Sequence, residues 1–264
     1  ELEAVMVKSQ FDPNQMASFY RFVKSHKYKF SDSGLLEALL GVLRDKGSER
    51  RQVKWGALIV AAIGFGDGLV GECLRGLSVD NGDLCRRLQI LISLSHHLTD
   101  NSELQSSLDT LKQLHGNLST VTYKCDRYPT LDTITDPLAR SRILLLRLLR
   151  SLAVTSDVSG DVRWRREALN VFLSEQALPS DLAMVKAPYL GKIRWTACKG
   201  LLQVIPTDLR TMLSPAILPR VTQMAGDPVD AVRSRFYAHI AKSGKSTYWC
   251  AVLALAAHDH NFQL

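Results

Sequence analysis

The stretch Asp227-Pro228-Val229-Asp230-Ala231-Val232-Arg233-Ser234-Arg235 decides how this chain is read. Asp-Pro is a helix-start signal. The carboxylate is an N-cap acceptor, and proline at the first helical position loses no N–H that the helix needs. Parts of the stretch recur upstream. Val53-Lys54-Trp55-Gly56-Ala57 resembles Ile193-Arg194-Trp195-Thr196-Ala197, and Val162-Arg163-Trp164 repeats the first three positions. Asp136-Pro137 leads to Arg140-Ser141-Arg142 much as Asp227-Pro228 leads to Val232-Arg233. Asp83-Leu84-Cys85-Arg86-Arg87 reads as a degenerate copy. The basic positions 54, 86, 140, 163, 194 and 233 lie 32, 54, 23, 31 and 39 residues apart. The spacing is uneven but centres on the length of a helix pair.

Around these marks apolar residues fall at helical spacing. Asp12-Pro13 opens a helix with Met16, Phe19, Tyr20 and Val23 on one face. Asp32 or Ser33 opens the next, with Leu35, Leu36, Leu39, Leu40 and Leu43 as its stripe and Gly47 as its C′ residue. Ser48 begins a third through Val53, Ala57, Val60 and Ala61. Asp100 and Glu103 have capping-box spacing ahead of Leu104, Leu108, Leu111 and Leu114. Residues 119–131 break the periodicity and read as a loop. Ile143, Leu144, Leu145, Leu146, Leu148, Leu149 and Leu152 surround most of their helix, which predicts burial between neighbours. Residues 155–160 read as a short turn, and helical patterns resume at 161–177, 190–204, 228–242 and 245–258. The sum is an all-α chain of about a dozen short helices with no strand.

The repeated residues resemble those of the HEAT class of α-solenoids. There an Asp-Pro turn leads into a helix beginning Val-Arg, with Ala four residues after the Val. Asp227-Pro228 and Val232-Arg233 match, with Phe236 in the Ala position; Ala57 and Ala197 match the small position, and Arg166 departs from it. The resemblance covers roughly residues 48–260. It implies a right-handed superhelical array of antiparallel helix pairs (HEAT/ARM-like), with the Val packed inward. The Arg is then expected to reach an Asp of its own or the next repeat, forming a ladder. One helix pair cannot bury its apolar face alone, so neighbours must stack. Residues 1–47 lack the motif and read as a divergent cap or repeat. The whole of 1–264 is expected to be one helical-repeat domain, a fragment of a larger protein.

Chemistry-bearing motifs are sparse. Gly66-Asp67-Gly68-Leu69-Val70-Gly71 matches G-x-G-x-x-G and follows the apolar run 57–63. A dinucleotide site needs strand–helix alternation around it, which is lacking, and Asp67 would repel phosphate. The stretch is expected to be a glycine-loosened turn between two helices. His258-Asp259-His260 has no third ligand near in sequence, and His96-His97 ends a helix. The five Cys contain no C-x-x-C and are odd in number, as in a reducing, intracellular (cytoplasmic or nuclear) setting. No run of about 20 apolar residues suggests a membrane span. The expectation is a chain that is not an enzyme, with no cofactor, no metal and no membrane contact.

The formal charge of +7 is uneven: residues 1–100 carry a net +1 and residues 101–264 a net +6. Arg140, Arg142, Arg147 and Arg150 share one helix. Arg163, Arg165 and Arg166 flank Trp164 on another, and Lys192, Arg194 and Lys199 flank Trp195 on a third. Arg140, Arg142, Arg163, Trp164, Arg165, Arg166, Lys192, Arg194 and Trp195 therefore form the candidate partner-binding surface. Trp55, Trp164 and Trp195 occupy one repeat position, suited either to packing or to an exposed aromatic row. The leading expectation is a non-catalytic protein–protein interaction scaffold that binds other subunits of a complex. A basic surface in residues 140–200 would also attract an acidic protein or nucleic acid. Size, charge and repeats are similar to those of HEAT-like DNA glycosylases, although no catalytic position can be matched. Trp164 beside Arg165 and Arg166 faintly resembles the first turn of tubulin-binding TOG arrays.

Overall fold

The computed structural model describes residues 11–26, 33–45, 47–97, 102–159, 162–176, 186–205 and 217–243. Among the described residues there are twelve α-helices and one 3-10 turn, with no strand. The chain divides into two compact units, residues 1–118 with 155–161 and residues 119–154 with 162–264.

The first unit holds α1 (Pro13–His26), α2 (Ser33–Arg44), α3 (Arg50–Ala62), α4 (Gly66–Arg75), α5 (Leu84–Leu94), α6 (Ser102–Ser106) and α7 (Leu108–Ser119, whose last residue falls in the second unit). Asp12 starts α1 as expected: its Oδ1 accepts from the N–H groups of Asn14 and Gln15, both at 3.0 Å. Met16, Phe19 and Val23 form the buried face of α1, which packs on α3. Helix α3 also packs on α2, α4 and α5. Gly56 makes part of this possible, because a Cβ there would lie 3.2 Å from Leu43 and 3.5 Å from Met16.

Three boundaries in this unit differ from the sequence reading. Helix α2 ends at Arg44, not beside Gly47. Asp45 takes over the turn, its carboxylate accepting from the Gly47 N–H and the Ser48 hydroxyl. Helix α3 begins after Glu49 rather than Ser48, where Gln52 Oε1 accepts from the Glu49 N–H at 2.8 Å. The glycine motif 66–71 is not a turn but the first turns of α4. The reversal falls at residues 63–65, where Gly64 has φ +88°, a conformation that costs a side chain strain. Residues 57–62 are helix, so no strand precedes the glycines. Gly71 serves packing instead: a Cβ there would strike the Glu103 carboxylate. Asp100 lies outside the described residues.

The second unit contains most of α8 (Pro137–Ser159), then α9 (Val162–Glu175), α10 (Pro188–Val204), α11 (Leu218–Thr222), the 3-10 turn Gln223–Gly226 and α12 (Asp230–Ser243). The turn expected at 155–160 is absent as far as Ser159, because no proline or glycine interrupts α8 before Gly160. The leucine-rich centre of α8 is buried all round, as its composition predicts. Residues 120–136 are irregular. Both ends of this loop are tied to α8: Arg142 Nη1 donates to the Val121 carbonyl at 2.8 Å, and Arg140 Nε donates to the Ile134 carbonyl at 3.1 Å. Helix α10 packs on α9 and on α12. Gly200 lets the α9 residue Phe172 approach, since a Cβ there would meet its ring at 2.7 Å. The pattern at 245–258 lies outside the described residues.

The Asp-Pro turns act alike in both units. Asp136 Oδ1 accepts from the N–H groups of Leu138 and Ala139, and Asp227 Oδ1 from that of Val229. Asp12 and Asp136 thus cap helices with proline at the first position, whereas α12 begins at Asp230 and not at 228 as expected, leaving Asp227-Pro228 in the turn before it. A guanidinium then bonds back to a carbonyl six residues earlier, Arg140 to Ile134 and Arg233 to Asp227.

Candidate functional site

The arginines of the repeated motif are mostly engaged inside the second unit. Arg194 is 2% exposed and Asp227 is 0% exposed as side chains. Their two bonds run Nε to Oδ2 at 2.7 Å and Nη2 to Oδ1 at 2.9 Å. Arg142 makes a second buried fork with Glu175, at 3.1 and 2.6 Å. Each pair joins residues 33 positions apart, an Arg near the start of one helix to an acid beyond it. Arg142, not Arg140, carries the upstream ion pair, which shifts the register of that copy by two residues. Arg142 and Arg194 therefore hold the fold and do not present charge to a partner, whereas half-buried Arg140 ties the loop to α8 through a neutral carbonyl.

The tryptophans follow suit. Trp164 and Trp195 are buried, so with Trp55 they form no exposed aromatic row. Trp55 is half-buried against Tyr20, at 5.7 Å between ring centres, under the Lys54 ammonium. Arg163 and Arg166 are exposed on α9, and Arg165 is half-buried. Of the candidate surface, Lys192 stands apart. It is 8% exposed, and its ammonium lies 5.0 Å from the centre of the Tyr128 ring.

Lys192 belongs to a like-charged cluster. Burial pushes its pKa down to about 8, and the charges of Arg147, Arg235 and Lys199 add to that shift. Lys199 is also lowered, by burial first and then by Arg150 and Arg147. Arg150 and His239 are lowered by burial, His239 also by Lys199. Among the described residues, no carboxylate is among the charges that act on Lys192 or Lys199. The spacing explains the grouping. Lys192 and Lys199 are two turns apart on α10, Arg147 and Arg150 one turn apart on α8, and Arg235 and His239 one turn apart on α12. Tyr128, from the loop before α8, has the Arg235 guanidinium 4.8 Å from its ring centre as well. Its hydroxyl is buried with no hydrogen-bond partner among the described residues. Burial pushes that phenol well above its ordinary range, against the opposing pull of Arg235. The α9 arginines are not among the charges acting on Lys192.

No known protein family, no curated protein and no solved structure matches the chain. Other chemistry is thinly supplied. No group of three or more His, Cys, Asp or Glu placed to hold a metal occurs among the described residues. Cys73 and Cys198 are buried, and burial raises both thiols, Cys73 to about 12. Such thiols carry little of the nucleophilic thiolate. His97 Nε2 lies 2.7 Å from the Tyr20 hydroxyl, and burial lowers its pKa. The pair His258 and His260 lies outside the described residues. No described helix is long and apolar enough to cross a membrane.

The composition of the cluster was partly legible. Arg147, Arg150, Lys192 and Lys199 stood out as basic residues on two helices. Arg235 and Tyr128 did not. Arg235 lies beyond the expected 140–200 surface, and Tyr128 sits in a loop with no periodic pattern to place it.

Proposed function

We propose that the chain is a segment of an α-solenoid that works as a non-catalytic scaffold, docking an acidic segment of a partner protein on the basic face of α8, α10 and α12. The observation that carries this reading is the Lys192 cluster: Lys192 and Arg235 against one Tyr128 ring, with Lys199 beside them and, among the described residues, no carboxylate acting on the two lysines. Holding like charges together costs free energy, and an anionic partner relieves it. The array is supported by the paired forks 33 residues apart, as stacked repeats would give. In that arrangement alternate helices line one face, and α8, α10 and α12 alternate with α9 and α11.

Zero-length carbodiimide coupling tests this on the full chain purified with its partners. The reagent joins a lysine amine to a carboxylate in direct contact. Coupling of Lys192 or Lys199 to an acidic peptide of another protein is expected, and it should vanish in Lys199→Glu with Arg235→Glu. Coupling confined to other lysines, or recovery of nucleic acid in place of protein, would overturn the reading.

A further inference from the structure

We infer that the Lys192–Tyr128 cluster is a phosphate-binding site whose ligand is a phosphorylated serine or threonine of the partner. This rests on the docking reading above and makes it specific. Charge argues first. Lys192 and Arg235 face one Tyr128 ring, Lys199 adds its charge to that of Arg235 on Lys192, and a single carboxylate offsets only one of the three. A phosphomonoester carries about −1.5 to −2 charges and three acceptor oxygens. It therefore answers more of the cluster from one point.

The donors argue next. The buried Tyr128 hydroxyl has no acceptor among the described residues, and a buried polar group without one is costly. An incoming phosphate oxygen supplies it. Lys192 and Arg235 both sit against the Tyr128 ring, so one side chain gathers an ammonium, a guanidinium and a hydroxyl. Arginine adds a planar fork suited to two phosphate oxygens, and lysine a point charge.

Shape separates this ligand from a nucleic-acid strand. A strand needs cations spread along a track to follow its phosphates. Here Arg140, Arg142, Arg194 and Arg233 instead bond carbonyls and carboxylates of the chain itself. Lys192 and Arg235, by contrast, lie 5.0 and 4.8 Å from one ring centre, a spacing that suits one phosphate. Binding also takes up protons, because an anion beside Lys192 raises its pKa from about 8. Affinity should therefore fall as the pH passes above that value.

The test uses the full chain and degenerate peptide libraries with a fixed central phosphoserine, aspartate or serine, beside a short single-stranded oligonucleotide. Phosphoserine is expected to bind about tenfold or more tighter than aspartate, as hydrogen bonds to a charged group allow. Tyr128→Phe and Arg235→Ser should each erase much of that preference. Lys192→Met should do the same, with circular dichroism confirming its fold; Arg235 is exposed, so its substitution tests the site even where Lys192→Met unfolds. Equal binding of phosphoserine and aspartate, with both lost in Lys199→Glu with Arg235→Glu, overturns the phosphate assignment and leaves the acidic-partner reading standing. No binding of any peptide, or tighter binding of the oligonucleotide, overturns both. A phosphoserine preference that survives all three substitutions removes the site from this cluster.

Discussion

Arg194 and Asp227 meet fork to fork in the interior of the second unit, Nε on Oδ2 and Nη2 on Oδ1, with solvent almost wholly excluded. A buried pair of this kind contributes little net stability, because desolvation offsets most of its attraction. Removing one partner is another matter. Arg194→Met strands the carboxylate and is expected to cost about 3–5 kcal/mol in urea unfolding. Arg194→Met with Asp227→Asn should cost less than the two single changes added together. Strict additivity would show that the two side chains are not coupled.

The Asp-Pro starts make a smaller and more local prediction. Asp12 and Asp136 each satisfy two N–H groups of the first helical turn. Replacing either with alanine should cost about 1 kcal/mol by denaturant titration. Asparagine retains an acceptor oxygen and should restore most of it. A loss as large with asparagine as with alanine would show that charge, not the cap bond, is what counts.

Two glycines should respond in opposite senses. A Cβ on Gly200 would lie 2.7 Å from the Phe172 ring, so Gly200→Ala forces α9 and α10 apart. The expected loss is about 1–3 kcal/mol. Gly41, inside α2, has nothing within 4 Å of its Cβ position. Gly41→Ala should gain about 0.5–1 kcal/mol through the unfolded chain. Thermal melts of the two variants on either side of the parent would bear out both packings.

Lys192 gives a pH signature of known sign. In the folded chain it titrates near 8, below the ordinary lysine value of 10.5. Between those values the unfolded chain binds more protons, so stability rises with pH. Below about 8 both states are protonated and the burial cost is present in full. Comparing the parent with Lys192→Met isolates this contribution: relative to the variant, the parent should gain stability from pH 8 towards 10. A flat difference across that window would mean that Lys192 is not buried as described.

Much of the fold was legible because its signals are local. Asp12-Pro13 and Asp136-Pro137 announce helix starts from two adjacent residues, and the apolar stripes announce faces. The resemblance also leads to the expectation that an Arg reaches an Asp, and Arg194 with Asp227 is one such pair, although the sequence makes Arg194 equally a candidate for the partner surface. What could not be read depends on contacts across the chain. Nothing in residues 155–160 tells a polar turn from the polar last turns of a long helix. Nothing local says that Arg142 rather than Arg140 turns inward to Glu175, or that the tryptophans beside the arginines are buried. The candidate surface mixed arginines that sequence does not distinguish: Arg142 and Arg194, which a buried acid awaits, and Arg163 and Arg166, which stand exposed on α9.

The two Asp-Pro starts, of α1 and α8, carry a consequence for how such a chain tolerates change in length. Each helix start is set by residues that travel together, so it survives whatever happens to the segment before it. The buried forks ask only that an acid arrive within reach of its arginine. Lengthening the loop between two such cassettes then adds closure entropy that grows slowly, roughly with the logarithm of its size. Irregular intervals such as those between the basic positions, from 23 to 54 residues, cost such a chain little.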